Sequence, residues 1–362
     1  MEKQTVTIYD VAREAAVSMA TVSRVVNGNP NVKPATRKKV LDVIERLDYR
    51  PNAVARGLAS KKTTTVGVII PDVTNAFFAQ LALGIDDIAS MYKYNIILAN
   101  SDENGSKELQ VVNTLLAKQV DGIVFMGNKI GDDIKQEFKR AQIPVVVSGF
   151  MGEEDNLPSV SIDYVAATKE AVTNLLNHGN QHVALVTGPI DQAINGKYRL
   201  NGYKQALEAA GIEFDDASVF GTNESYDAGY KLAEQLQNSD ISAAFVGDDE
   251  LAAGLLNGLT DRGVKVPEAF EIITSNDTKY AEVTRPKMSS VTQPLYDIGA
   301  VSMRLLTKLM NSEEVDERNI ILPHGFVERD SAIERWLSLV AIKTGTSFNG
   351  PTTRAAKTPC WF

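Results

Sequence analysis

The sequence has little of the chemistry from which most catalytic or metal centres are built. Its single cysteine, Cys360, falls within the last three of 362 residues, so no internal disulfide forms. Only three histidines occur: His178, His182 and His324. The first two are spaced i, i+4, but Gly179 between them interrupts any shared helix face, and no glutamate motif follows. No Gly-x-Gly-x-x-Gly or Walker-type loop is present, so nucleotide cofactors have no support. "SMYK" at Ser90–Lys93 and "KTG" at Lys343–Gly345 imitate penicillin-binding-protein signatures, but matches this short arise by chance. No apolar run approaches the roughly 18 residues of a membrane span. The opening "MEKQTVTIYD" lacks the apolar stretch of a secretory signal. These absences predict a cytoplasmic chain that is no enzyme, uses no metal or cofactor, and enters no membrane.

What is present divides unevenly along the chain. The formal charge is -9, yet residues 1–62 hold 12 Lys/Arg against 6 Asp/Glu while the other 300 hold 25 against 40. A basic head on an acidic body points to a polyanionic partner for the head alone. That head begins with "IYDVAREAAVSMATVSRVVNG", from Ile8 to Gly28. Thr7 and Asp10 form a capping-box start, and Val11, Ala12 and Ala15 follow at helical spacing. Ser18 is a good N-cap for a second helix over Met19–Asn27, with Val22, Val25 and Val26 inside. Pro34 suits the first turn of a third helix that buries Val40, Leu41, Ile44 and Leu47 and stops at Pro51. Three short helices joined by tight turns match a helix-turn-helix with a supporting helix.

The exposed face of the second helix carries Met19, Ala20, Thr21 and Arg24. An arginine there can bond guanine O6 and N7 together, a pairing that discriminates by about 1–3 kcal/mol. Met19 and Ala20 suit thymine methyls, while Ser18, Thr21, Asn27 and Tyr49 are candidate phosphate anchors. Spacing alone equally describes a small helical core with a solvated basic face. The next stretch, "YRPNAVARGLASKKTT", has Asn52 as a cap for a short helix over Ala53–Ser60, with Ala55 and Leu58 along it and Lys61 just beyond. So short a helix does not hold alone in water. It reads either as a linker or as a hinge that orders on DNA with Leu58 wedged into a minor-groove step.

The segments "TIYDVAREAAVSMATVSRVVNG" and "RKKVLDVIERLDYRPNAVARGLASKKT", with the layout behind them, resemble the LacI/GalR family of bacterial transcription regulators over about residues 5–331. The likeness is nearest to the catabolite-control branch of Gram-positive bacteria. It implies base reading by Met19, Ala20 and Arg24, an intercalating Leu58, and a homodimer on a pseudo-palindromic double-stranded DNA operator.

From Thr64 onward, continuous apolar strands such as "TVGVIIPD", "GIVFMG", "HVALVTGP" and "FEIITSND" alternate with amphipathic helices, including Phe77–Lys93, Ser106–Gln119, Tyr164–His178 and Tyr198–Ala210. That alternation predicts α/β architecture with parallel sheets covered on both faces. A break near Asp163 and a late return near Gln293–Pro294 divide it into two lobes. The resemblance implies the fold of periplasmic sugar-binding proteins. The expected boundaries are a headpiece over 1–50, a hinge over 51–63, one lobe over 64–162 and 293–321, and the other over 163–292 and 322–331. Strand ends in such sheets face a ligand crevice. Here they offer Asp72, Asn75, Ser101, Asp248 and Asp277, with Arg199 on a helix, although polar residues cap strand ends in any α/β protein. By resemblance, Asn75, Phe77, Arg199, Asp248 and Asp277 hold the family's effector positions. Sugar phosphates such as glucose 6-phosphate and fructose 1,6-bisphosphate are expected only as modulators.

The stretch "PLYDIGAVSMRLLTKLMN" places Asp297, Val301, Arg304 and Lys308 on one narrow helical stripe beside the apolar Ile298, Leu305 and Leu309. Spacing alone makes this a solvated face. In the catabolite-control branch, these positions with Tyr296 bind HPr phosphorylated on serine, the corepressor. Its phosphate suits a cation pair one turn apart. Asp86 and Asp87 on the facing helix are available to basic HPr residues, but Leu83 stands where that branch usually has a basic residue. Resemblance ends near Ser331, and residues 332–362 read as an atypical, largely disordered tail of no assigned function. The reading is a catabolite regulator with a protein corepressor. The alternative is a sugar-responsive repressor controlled by a small molecule in the cleft between the lobes.

Overall fold

The computed structural model describes residues 6–50, 62–102, 107–127, 130–151 and 157–333. The expected hinge helix, with Asn52, Ala55, Leu58 and Lys61, and the tail after Ile333 lie outside them.

The headpiece has three helices: α1 (Ile8–Glu14), α2 (Met19–Val26) and α3 (Pro34–Arg46). The Asp10 carboxylate accepts from both the backbone N–H and the hydroxyl of Thr7, at 3.0 and 2.7 Å. Ser18 caps α2 by accepting from the Thr21 N–H, and its hydroxyl meets that of Thr21 at 2.9 Å. Val11, Ala12, Ala15, Val22, Val25, Val40 and Val43 form the core. Two expectations fail. Leu41 is 47% exposed, because the inner face of α3 runs through Val40, Val43, Ile44 and Leu47 and leaves Leu41 on the outer one. The third helix also ends at Arg46, well before Pro51, where Leu47 caps it and Asp48 turns left-handed at φ 49°.

Behind the headpiece stand two α/β lobes. The chain runs β1 (Thr65–Ile70), α4 (Ala76–Met91), β2 (Asn95–Asn100), α5 (Glu108–Ala117), β3 (Gly122–Phe125), α6 (Asp132–Ala141), β4 (Val145–Ser148) and β5 (Ser159–Ile162). It then crosses to the second lobe with α7 (Tyr164–Asn177), β6 (Val183–Thr187), α8 (Leu200–Ala210), β7 (Val219–Gly221), α9 (Tyr226–Gln237), β8 (Ala243–Val246), α10 (Asp249–Asp261), β9 (Glu271–Asn276), α11 (Lys279–Val283) and β10 (Ser289–Thr292). It returns with α12 (Leu295–Met310) and β11 (Asn319–Leu322) and crosses once more into β12 (Gly325–Val327).

Each lobe therefore holds a six-stranded sheet, ordered β11-β5-β4-β3-β1-β2 in the first and β12-β10-β9-β8-β6-β7 in the second. All pairings are parallel except β10 with β12. Central strands such as β3, β4 and β8 are buried throughout, because helices cover both faces. Helix α8 departs from the expected Tyr198 start. A wide, π-type turn at Ile194–Arg199 precedes it, where Gly196 lies against the carbonyl of Ile190 and leaves no room for a side chain.

Candidate functional site

On the headpiece, Met19, Ala20 and Arg24 are exposed along α2, while Thr21 is half-buried under its bond to Ser18. The base-facing candidates thus project from a helix whose amino end is locked by its cap. Asn27 is exposed at the far end, where its amide donates to the Ser23 hydroxyl at 3.3 Å. Tyr49 packs on the headpiece core, and this burial raises its hydroxyl pKa.

The cleft between the lobes has two unlike walls. The first lobe supplies Asn75 and three phenylalanines, Phe77, Phe78 and Phe150, whose rings meet at 5.2 to 6.2 Å. The second supplies Ile194, Arg199, Glu224, Gly247, Asp248 and Asn276. Asn75 caps α4 by accepting from Phe77 N–H at 2.9 Å, and Asp248 caps α10 through Glu250 and Leu251 N–H at 2.9 and 3.0 Å. Arg199 is 4% exposed. Its guanidinium donates to Asn195 Oδ1 at 2.7 Å and to the Gly247 carbonyl at 2.6 Å, and lies 3.6 Å from Glu224. Its Nε finds no acceptor among the described residues. Burial raises the pKa of Asp248, opposed by the Leu251 and Glu250 amides and by Arg199; burial, then the charge of Asp248, raises that of Asp249. A buried arginine facing two carboxylates leaves this wall without surplus positive charge. The free space is about 30 Å³, room for a water or two, so a larger ligand enters only if the lobes part.

Helix α12 packs against α4 through Tyr296, Gly299 and Ala300, and its stripe lies beside that contact. Gly84 and Gly299 face each other across this crossing: a Cβ on Gly84 would press on the Tyr296 carbonyl and lie 2.9 Å from Ala300 N. Asp86, Asp87, Tyr296, Asp297, Arg304 and Lys308 are all exposed on these two helices, and Val301 is half-buried. Tyr296 Oη donates to Asp87 Oδ2 at 2.8 Å and ties the two helices together. Leu83 is 56% exposed beside them.

The comparisons with known proteins agree with this architecture. Residues 7–52 match the model of bacterial regulatory proteins of the lacI family, and residues 63–329 match that of periplasmic binding proteins and the sugar-binding domain of the LacI family. The chain belongs to the LacI family of transcription regulators. It is 62% identical to catabolite control protein A of Streptococcus mutans, over 90% of this chain and 97% of that one. It is 54% identical to catabolite control protein A of Priestia megaterium, over 90% and 99%. Among solved structures, transcription regulator CcpA of Lactococcus lactis superposes with TM-score 0.72 at 46% identity, covering 74% of this chain and 99% of that one. The lac repressor dimer bound to operator and an anti-inducer superposes at 0.82 with 26% identity, covering 91% and 100%. This LacI-family chain is a DNA-binding regulator and not an enzyme, and none of its described helices is long and apolar enough to cross a membrane.

Of the six effector candidates, Asn75, Phe77, Arg199 and Asp248 line one cleft. Ser101 is not among the lining residues; it is buried and donates to the Ile70 carbonyl at 3.2 Å. Asp277 turns away at φ 55° and pairs with Arg329 at 2.7 Å. Asn276 lines the cleft in its place, and Phe78, Phe150 and Glu224 were not anticipated. Phe78 adjoins Phe77, and Phe150 closes the run "VVVSGF", so both carried a sequence signal. Glu224 sits in a connecting segment and carried none.

Proposed function

We propose that the protein is a dimeric regulator of carbon catabolite genes that reads a pseudo-palindromic operator, with serine-phosphorylated HPr as corepressor. The observation that carries the DNA reading is the Ser18-capped α2, which presents Met19, Ala20 and Arg24 to solvent in a chain of the LacI family. Its relatives named catabolite control protein A support the regulatory role. The corepressor reading is supported by the α4–α12 surface, where Arg304 and Lys308 lie exposed one turn apart, positioned to hold a phosphoserine dianion. Binding there biases the lobes toward the state in which the segments around Leu58 pair in the minor groove. Operator and corepressor then strengthen each other by the same factor.

A second reading, repression relieved by a small molecule, is favoured by one feature: the cleft holds a buried arginine whose Nε has no acceptor among the described residues. The phenyl wall and the carboxylates around Arg199 suit a neutral sugar ring better than a phosphate. Anisotropy of a labelled palindromic operator, with HPr in its phosphorylated and unphosphorylated forms, separates the two. Enhancement only by phosphorylated HPr supports the first; release by a neutral sugar with no HPr effect supports the second. Arg24→Ala should lose about 1–3 kcal/mol of preference at one base position. Undiminished selectivity would remove α2 from the recognition role.

A further inference from the structure

We propose that the first lobe carries a second ligand site, for a small organic anion with an apolar body, at the end of its sheet opposite the interlobe cleft. The cleft lies at the carboxyl ends of the strands. This cavity, of about 340 Å³, lies where β4, β5 and β11 begin, beneath α6 and the last turn of α12. That volume exceeds the voids of a packed interior and falls within the range of ligand pockets.

Among the described residues, seven apolar side chains line it, including Phe138, Leu157 and Leu309, together with three cations, Lys135, Lys139 and Arg318, and no carboxylate. Three positive charges around one apolar hole stand out on a body with 25 Lys/Arg against 40 Asp/Glu. Lys135 already lies 3.6 Å from Asp132. Lys139 and Arg318 are exposed, with no ion pair among the described residues. Apolar contact alone would welcome any greasy body. Lys139 and Arg318, the two cations with no ion pair among the described residues, select one that bears a single negative head, because it gains both apolar burial and charge-assisted hydrogen bonds. The occupant is thus a medium-chain or aryl carboxylate or sulfonate, its body against Phe138 and Leu157 and its head between Lys139 and Arg318. This assignment uses no residue of the DNA, corepressor or cleft surfaces and stands apart from the proposed function. Leu309 follows Lys308 on α12, so an occupant also touches the helix that carries the exposed stripe.

The test is a titration of the full-length protein with 8-anilino-1-naphthalenesulfonate, an anion on a fused aromatic body, read by its fluorescence. Saturable binding at one site per chain is expected. The double variant Lys139→Glu/Arg318→Glu should bind about tenfold more weakly, since two attractions become repulsions. Leu157→Trp, which fills the cavity while leaving the cations, should abolish binding. Octanoate should displace the dye and 1-octanol should not. Arg199→Lys, in the interlobe cleft, should bind as the parent does. Unsaturable binding, parental affinity in the charge reversal and in Leu157→Trp, equal displacement by octanol, or loss in Arg199→Lys would each overturn the assignment.

Discussion

Replacing Gly84 with alanine should part α4 from α12 and silence the surface they share. The added Cβ would press on the Tyr296 carbonyl and lie 2.9 Å from Ala300 N and 3.0 Å from Tyr296 C. Those are backbone atoms inside a 16-residue helix, so relief comes only from moving the helices apart by about an ångström. Overpacking of this kind costs about 1–3 kcal/mol. For a lobe of this size each kcal/mol lowers the melting temperature by about 2–4 °C, so a drop of about 2–12 °C is expected by differential scanning calorimetry. The same movement stretches the Tyr296–Asp87 hydrogen bond from 2.8 Å past its working range. Enhancement of operator binding by phosphorylated HPr should therefore fall, while basal affinity for the operator is kept. Gly202→Ala is the control: its Cβ would strike α7 backbone in the other lobe, so it should lower the melting temperature and leave the corepressor response intact. If Gly84→Ala melts with the parent, the close crossing is not a constraint. If it melts lower but responds fully to phosphorylated HPr, the surface does not depend on how these helices are held.

Three further outcomes are expected. Arg304→Ala should abolish the effect of phosphorylated HPr with basal DNA binding unchanged, and equal enhancement in variant and parent, by the same anisotropy titration, would exclude that surface. Tyr164→Phe removes a buried hydroxyl that donates to the Gly149 carbonyl at 2.6 Å and meets Gln293 at 3.2 Å where the lobes join; a loss of about 1–3 kcal/mol in urea unfolding is expected, and none would mean the bond is replaced. Glu108 is pushed up to about 7 by burial first, then by the charges of Asp102 and Asp133. Between its unfolded value near 4.5 and about 7 the folded chain keeps a proton that the unfolded chain has lost, so stability falls as pH rises through that window. Glu108→Gln should thus raise the melting temperature at pH 8 more than at pH 5, and an equal effect at both would refute the shift.

The parts legible beforehand are those that local chemistry settles. Thr7, Asp10, Ser18 and Pro34 mark the helix starts of the headpiece, because caps act within a turn of themselves. Strands such as β1, β6 and β9 announce themselves as apolar runs, because parallel strands are buried on both faces. The short strands β7, β11 and β12 are half-buried, alternate poorly, and left no comparable signal.

From the sequence alone came the basic head, the capped helix with its exposed arginine, and two α/β units in series, since each depends on residues near one another in the chain. The tertiary structure alone decided that Leu41 faces solvent and that Asn276 rather than Asp277 lines the cleft. It also decided that three phenylalanines oppose Arg199 and that Gly84 and Gly299 set the distance between α4 and α12. All these rest on how distant segments are oriented, and a left-handed turn at Asp277 or a lobe brought across from far along the chain has no local signature.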